Sequence, residues 1–398
     1  MKPLYSICIS NYNMSSTLEE SLNSILCQLT EKFEVIVVDD GSRDNSLEIL
    51  YKMQEKYSIL KIIPLLRDNR RKLGETRNVS VRAATGKYVL LHLDTDDIWD
   101  KYIISFTKIY HDLEKRLDTS NEWIIKRTGI STRHILTKDE SVISMVNACA
   151  KSLVEAAIDN NLKITSVIVA TSTTMGLPSV ACHLCNHFSI EKAFALDINA
   201  ACSGFIYALN LANDRLKNHD EEAILVIGAD AMSQIIDWQD RTTAVLFGDG
   251  AGGVLLKKHT QRGLKAIQCG SDNLGADMLN TITDRGQCKL IMQGKEVFKH
   301  AVEKLYGSAL SLANDSKIDL STIDWVVPHQ ANRRILETVI KKLKIPEQKL
   351  ICTLDRHANT SAASIPLALD NAIRNKTIQR GQRLLLQAFG AGFTWGSA

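Results

Sequence analysis

The stretch Asp197-Ile-Asn-Ala-Ala-Cys202-Ser-Gly-Phe205 decides the fold of the larger part of this chain. The apolar run 193–196 leads into it like a buried strand, and residues 206–212 lead out of it with the apolar spacing of a helix. Cys202 is therefore predicted on a strand-to-helix turn, at the positive end of a helix, which favours the thiolate and makes the sulfur a nucleophile. On this motif alone, a buried and inert cysteine is an equally good interpretation.

Three further motifs supply partners for this cysteine. Val326-Val-Pro-His329-Gln-Ala-Asn332 again runs from a strand into a polar turn and a helix, and Arg356-His-Ala-Asn359-Thr-Ser-Ala-Ala-Ser364 is a third such unit. The chain closes with the glycine-rich Ala388-Phe-Gly390-Ala-Gly392-Phe-Thr-Trp-Gly-Ser. A cysteine, a histidine and an asparagine on strand ends, with backbone N–H groups in a glycine-rich turn, provide a nucleophile, two hydrogen-bond donors and an oxyanion hole.

These motifs, with Asp118-Thr-Ser-Asn-Glu-Trp123-Ile-Ile-Lys-Arg127-Thr-Gly-Ile before them, resemble the ketoacyl-ACP synthase III family of thiolase-like condensing enzymes. The resemblance runs from about Asp118 to the last residue. It implies a duplicated α/β half that forms a five-layer αβαβα core over residues 117–398, and a homodimer. It also implies that the family's first strand and extreme C-terminus are missing here.

The resemblance implies a decarboxylative Claisen condensation. An acyl-CoA starter and malonyl-acyl carrier protein (malonyl-ACP) would give 3-oxoacyl-ACP and so initiate fatty-acid synthesis, with no cofactor. Cys202 would carry the acyl group, His329 and Asn359 would donate hydrogen bonds to the malonyl thioester carbonyl, and the N–H groups of Cys202 and Ala391 would form the oxyanion hole. The family usually has glycine where Ala391 stands, so a positive φ there would add strain.

The same resemblance implies three sets of binding residues. Leu177 matches a position from which one subunit caps the partner's acyl pocket, and its size hints at a starter longer than acetyl. Arg334 and Lys342 match the face that docks the acidic carrier, with a merely solubilising surface as the alternative. The third set would bind CoA, since an aromatic ring and an arginine can sandwich its adenine. For Trp123, a place in the core is the alternative. The CoA positions are Trp123, Arg127, Arg241, Gly294, Phe298, Ala331 and Asn332.

Residues 1–116 follow a different pattern. Apolar strands end in polar or acidic turns and alternate with helices, which predicts a parallel sheet with ligands at the carboxyl ends of the strands. Two examples are Phe33-Glu-Val-Ile-Val-Val-Asp39-Asp40 and Tyr88-Val-Leu-Leu-His-Leu-Asp94-Thr-Asp96. This segment resembles the nucleotide-binding half of a family 2, GT-A-type glycosyltransferase. The whole chain is therefore predicted as α/β, a Rossmann-like GT-A fragment followed by a thiolase-like αβαβα domain.

The glycosyltransferase resemblance implies a nucleotide-sugar site. Asp39 and Asp40 would hold the base and ribose of a UDP-sugar, and Asp94 and Asp96 would hold Mg²⁺ or Mn²⁺ on the diphosphate, because hard carboxylate oxygens suit these cations. Solvation of the strand ends is the alternative for these acids. The family's second half, with the acceptor site and base, does not follow, so no sugar transfer is predicted. A nucleotide-sugar-binding fragment, or a fusion inactive in both activities, remains the alternative to a condensing enzyme.

Composition limits the other classes of function. The 398 residues are 45% hydrophobic and 23% charged, as in soluble globular proteins, and the net charge of +3 argues against a nucleic-acid binder. No apolar run approaches the ~20 residues that span a membrane, and the N-terminus has no signal-peptide pattern. Nine scattered cysteines indicate reduced thiols and a cytoplasmic location.

Two smaller motifs have simple local interpretations. Cys182-His-Leu-Cys185-Asn-His187 has metal-ligating side chains, but it lies in what is predicted as one helix, and a zinc site needs four well-placed ligands. The glycine-rich segment 243–256 is predicted as two strands around a tight glycine turn, because no lysine-bearing helix follows as in a phosphate loop.

Overall fold

The computed structural model describes residues 3, 5–27, 29, 33–65, 73–86, 88–91, 113, 116–174, 176–219, 222–259, 263–273, 275–284 and 287–398. The chain divides into two compact units, Met1–Thr107 and Lys108–Ala398. Of residues 92–115 only Leu113 is described, so the predicted boundary between 116 and 117 stays a prediction.

The described residues of the first unit form a parallel four-stranded sheet with helices, as its strand–helix alternation predicts. The strand order is β3-β2-β1-β4, and the residues of β1 and β2 are all buried. Asn11 and Asp39 are paired in register at the carboxyl ends of β1 and β2. The elements are β1 (Tyr5–Asn11), α1 (Leu18–Leu26), β2 (Phe33–Asp39), α2 (Ser46–Lys56), β3 (Leu60–Pro64), α3 (Leu73–Ala83) and β4 (Tyr88–Leu91).

The described residues of the second unit form two four-stranded sheets and a hairpin. The first sheet has the order β6-β5-β7-β8 and the second has the order β12-β13-β14-β9. Its strands are β5 (Ile164–Ala170), β6 (Phe194–Ile198), β7 (Ala223–Ala231), β8 (Asp249–Lys257), β9 (Gln268–Ser271), the hairpin β10 (Leu279–Asp284) and β11 (Gln287–Met292), β12 (Trp325–Pro328), β13 (Leu384–Gly390) and β14 (Thr394–Ser397).

The helices of the second unit range from single short turns to long helices. They are α4 (Asn121–Thr128), α5 (Val142–Asp159), α6 (Val180–His187), α7 (Gly204–Asn218), α8 (Arg241–Ala244), α9 (Gly294–Ser316), α10 (Arg333–Lys342), α11 (Leu354–His357) and α12 (Ser364–Arg374). Helix α6 confirms that the Cys182–His187 motif is helical. The described residues contain no group of three or more metal-ligating side chains, and no described helix is long and apolar enough to cross a membrane.

Five layers follow from which side chains share a core. Successive strand residues point to opposite faces. In β5, Ile168 packs with α7 and α12, whereas Val167 packs with α5 and α6. The second sheet repeats this arrangement, with Val327 in the α7 and α12 core and Val326 in the core of α9 and α10. The central helices α7 and α12 are therefore enclosed between the sheets, which confirms the predicted αβαβα fold.

The prediction of two strands around a glycine turn at 243–256 is wrong. Residues 241–244 form α8, whose first turn is capped by the Asp240 carboxylate, which accepts a 2.9 Å hydrogen bond from Thr242 N–H. A single strand, β8, follows. Its glycines allow α12 to approach, since a Cβ added to Gly252 would lie 2.9 Å from the backbone nitrogen of Leu367. Here glycine signals a close contact and not a turn.

Candidate active site

Cys202 lies where the sequence places it, between a strand and a helix. It occupies a 3₁₀ turn, Ala201–Ser203, between β6 and α7. The closing segment of the chain holds this turn. Ser203 Oγ donates to Thr394 O over 3.1 Å, and Thr394 Oγ1 donates to Ala200 O over 3.0 Å. The glycine-rich turn after β13 is thereby fixed against the nucleophile.

His329 comes from a second strand-to-helix unit. The strand predicted before Asn359 is wrong, because Asn359 follows the short helix α11. His329 follows β12 and is 4% exposed, and its backbone N–H donates to Gln387 O over 2.6 Å. Asn359 is 5% exposed and is held by backbone bonds on both sides, because its N–H donates to Leu246 O and its carbonyl accepts from Gly248 N–H, each over 3.0 Å. Ser361 N–H donates to Asn359 Oδ1 over 2.9 Å. The side-chain oxygen is thus occupied, which leaves the Asn359 NH₂ group as the donor.

One cavity of about 1280 Å³ brings these groups together. Cys202, His329, Asn359 and Ala391 all line it. Among the described residues, neither the Cys202 nor the Ala391 backbone N–H has an acceptor on another residue, so both can bind an oxyanion. Ala391 is not among the residues with positive φ. The strain expected from alanine at this place is therefore absent, and its methyl group is compatible with the turn.

The protonation state of Cys202 differs from the sequence prediction. Burial raises the pKa of its thiol to about 12, a Ser361 side-chain contact lowers it, and the nearby Asp230 carboxylate raises it further. Burial therefore favours the thiol of Cys202 in the free protein over the predicted thiolate. Burial also lowers the pKa of His329 to about 4, so its imidazole is neutral near pH 7.

Asp230 is a buried acid that the sequence analysis does not single out. Its Oδ1 accepts from Ser172 N–H over 2.7 Å, and its Oδ2 accepts from Ala362 N–H over 3.1 Å. It therefore joins the loop after β5 to the turn that follows Asn359. The only sequence signal is an acid at the end of an apolar strand, a pattern that also fits a solvated turn.

All the predicted CoA positions line the same cavity. Arg241 lies over the Trp123 ring, with its guanidinium carbon 4.0 Å from the ring centroid, and the Arg127 carbon is 5.9 Å from it. Asn332 caps α10 by accepting from Arg334 N–H over 3.0 Å. The described lining contains five cationic side chains and no carboxylate. The CoA positions in that lining are Trp123, Arg127, Arg241, Gly294, Phe298, Ala331 and Asn332.

The remaining predicted residues of this unit are exposed on its surface. Arg334 and Lys342 are exposed on α10, and only Arg334 also lines the cavity. Their cationic groups lie over Phe298 and Tyr306, at 5.9 and 5.3 Å from the ring centroids. Leu177 is 99% exposed and does not line the Cys202 cavity of its own chain.

In the first unit the two adjacent acids differ. Asp39 is fully buried, and its carboxylate accepts from Asn11 Nδ2 over 2.7 Å and from Ser42 Oγ over 2.6 Å. Asp40 is half-buried, and its carboxylate has no hydrogen-bond or ion-pair partner among the described residues. Asp39 therefore shapes the strand end, whereas Asp40 is available to a ligand. Asp94 and Asp96 lie outside the described residues.

Comparisons with known proteins match different parts of the chain to two families. Models of 3-oxoacyl-[acyl-carrier-protein (ACP)] synthase III and of its C-terminal part match residues 196–273 and 313–398, and the glycosyl transferase family 2 model matches residues 6–119. The beta-ketoacyl-[acyl-carrier-protein] synthase III of Aliivibrio fischeri is 46% identical over 294 residues, covering 72% of this chain and 92% of that protein.

Two further relatives extend the similarity. The synthase III of Wolbachia pipientis is 46% identical over 288 residues, covering 71% of this chain and 90% of that protein. The crystal structure of 3-oxoacyl-[acyl-carrier-protein] synthase III from Aquifex aeolicus superposes with a TM-score of 0.67 at 38% identity, covering 73% of this chain and 93% of that one.

Proposed function

Because the chain belongs to the 3-oxoacyl-[acyl-carrier-protein] synthase III family, we propose that it condenses an acyl-CoA starter with malonyl-ACP to give 3-oxoacyl-ACP, the first condensation of fatty-acid synthesis. The observation that carries the proposal is the convergence of Cys202, His329 and Asn359 in one cavity with two available backbone N–H groups.

The first half-reaction transfers the acyl group. The Cys202 sulfur attacks the thioester carbonyl, the bond to the CoA sulfur breaks, and the proton lost by the thiol ends on CoA. The N–H groups of Cys202 and Ala391 stabilise the oxyanion of the tetrahedral intermediate. Five cationic side chains in the lining, without a carboxylate, suit the phosphates of CoA.

The second half-reaction forms the carbon–carbon bond. Malonyl-ACP loses CO₂, and the resulting enolate attacks the acyl group carried by Cys202. The bond between the acyl carbon and the sulfur breaks, and Cys202 leaves as a thiolate that then takes up a proton. The neutral His329 ring and the Asn359 NH₂ group donate hydrogen bonds to the enolate oxygen. One such donor typically contributes ~3 kcal/mol to lowering the barrier. Exposed Arg334 and Lys342 on α10 suit an acidic carrier.

Separate assays of the two half-reactions test these roles. Intact-protein mass spectrometry with acetyl-, isobutyryl- and butyryl-CoA should show one added acyl group, absent in Cys202→Ala. His329→Ala and Asn359→Ala should retain this acylation and lose condensation by about 100-fold. Acylation of the Cys202→Ala protein, or a loss chiefly in acyl transfer for either other variant, would contradict the assignment.

We also infer the setting of the enzyme. All nine cysteines are free, which supports a reducing, cytoplasmic location. An almost fully exposed Leu177 outside its own chain's cavity supports a homodimer in which this side chain reaches the partner's acyl pocket.

For the first unit we propose residual UDP binding without sugar transfer. The available Asp40 carboxylate and the glycosyl transferase family 2 match support it. If Asp94 and Asp96 hold Mg²⁺ or Mn²⁺, then Asp94→Ala with Asp96→Ala should abolish UDP binding in calorimetry, and Asp40→Ala should weaken it. The exposed Glu55→Ala is the matched control, and condensation rates should not change. Sugar release from UDP-glucose that is lost in the double variant would contradict this proposal.

A further inference from the structure

The catalytic histidine has a hydroxyl partner outside the Cys–His–Asn set. His329 Nδ1 lies 2.7 Å from the Oγ atom of Ser364, and both side chains are buried. Ser364 is the first residue of α12, one of the two central helices between the sheets. We propose that Ser364 is a positioning residue that holds His329 in the tautomer with its proton on Nε2, the form needed to donate to the enolate. This inference rests on the proposed condensation.

The direction of the hydrogen bond follows from the partners of the hydroxyl. Gln330 N–H donates to Ser364 Oγ over 3.3 Å, which occupies one lone pair. Among the described residues, the only other partner of this hydroxyl is His329 Nδ1. If Nδ1 carried the proton, the buried Ser364 O–H would have no acceptor, which is unfavourable. The hydroxyl therefore donates, and Nδ1 accepts.

A neutral ring with an accepting Nδ1 must carry its proton on Nε2. Burial keeps the ring neutral by lowering the pKa of His329 to about 4. The Ser361 backbone contact with the ring raises the pKa, but burial, which lowers it, has the larger effect. Because His329 lines the cavity with Cys202 and Asn359, the Nε2–H is the donor available to a substrate carbonyl.

The tautomer can be read without any turnover. In ¹⁵N-histidine-labelled wild-type protein, the His329 signals are those missing from His329→Ala, and they should show Nε2–H with an unprotonated Nδ1 at neutral pH. Protonated Nδ1 at neutral pH would overturn the proposal, whether or not Ser364→Ala folds. This measurement also distinguishes failure of the Ser364 proposal from failure of the proposed function. If the proposed function were wrong, the wild-type protein would catalyse no condensation.

Kinetics of variants test the consequence. Ser364→Ala should lower condensation by about 10- to 100-fold, as loss of a histidine's orienting partner typically does, and should shift the His329 ring towards a mixture of tautomers. Acylation of Cys202 should not change, and Ser364→Thr, which keeps the hydroxyl, should recover condensation. Ser308→Ala removes a buried hydroxyl bonded to Ser397 and is the matched control. Full condensation with an unchanged tautomer in Ser364→Ala would refute the role.

Discussion

Gly390, at the end of β13, approaches the backbone of the nucleophile closely. A Cβ atom added there would lie 2.8 Å from the backbone nitrogen of Cys202 and 3.0 Å from that of Ser203. Both neighbours are main-chain atoms, so neither can move aside by changing a rotamer. We therefore expect Gly390→Ala to displace the Cys202 turn, although the substitution adds only one methyl group.

The size of the effect follows from these distances. Ordinary contacts of a Cβ atom begin at 3.4 Å, so the Cys202 nitrogen must move by about 0.6 Å. That nitrogen is one of the two proposed oxyanion donors, and a ~1 Å misplacement of reacting groups can cost ~100-fold in rate. We expect Gly390→Ala to slow acylation by about 10- to 100-fold, with a stability loss of ~1–3 kcal/mol from overpacking.

The assay is the rate of acyl-enzyme formation by mass spectrometry, with thermal unfolding measured in parallel. Gly307→Ala is the matched control, because nothing lies within 4 Å of a Cβ added at this position of α9. It should leave acylation unchanged and stabilise the helix by ~0.5–1 kcal/mol. A folded Gly390→Ala protein that acylates at the wild-type rate would refute the oxyanion geometry.

Two further predictions concern the acyl pocket and acid stability. Leu177→Phe should shift starter preference towards acetyl-CoA, since a ring in a closed pocket disfavours longer chains by ~1–3 kcal/mol. Unchanged relative rates for acetyl- and butyryl-CoA would show that residue 177 does not line the partner's pocket. The control is Ile158→Phe, at another exposed position. Stability should fall as the pH drops from 6.5 to about 4, because the unfolded chain binds a proton at His329 that the native state does not bind. The lowered pKa of His329 corresponds to about 3 kcal/mol in the free energy of unfolding. His329→Asn should therefore flatten the pH dependence of the urea midpoint by about one proton. Equal slopes in the two proteins would contradict the lowered pKa.

The local pattern of the sequence determined the elements and the reacting groups. Cys202 and His329 each follow an apolar strand and precede a helix, and such units are specified by neighbouring residues, so they could be predicted without the fold. Asn359 was expected after a third strand, but it follows the short helix α11. The parallel sheet of the first unit followed for the same reason. Asp39 and Asp40, adjacent and chemically identical, could not be separated in this way, because only the register of β1 with β2 brings Asn11 to Asp39.

Tertiary structure decided everything that depends on groups distant in sequence. Ser364 meets His329 across 35 residues because α12 lies beneath the end of β12. Burial of Cys202 by the folded chain raises the pKa of its thiol, whereas the local helix end predicted a lower one. The same holds for glycine, whose sequence signal is ambiguous between a turn and a close approach. At Gly252 and Gly390 the neighbours within reach of a Cβ, Leu367 and Cys202, are supplied only by the folded chain.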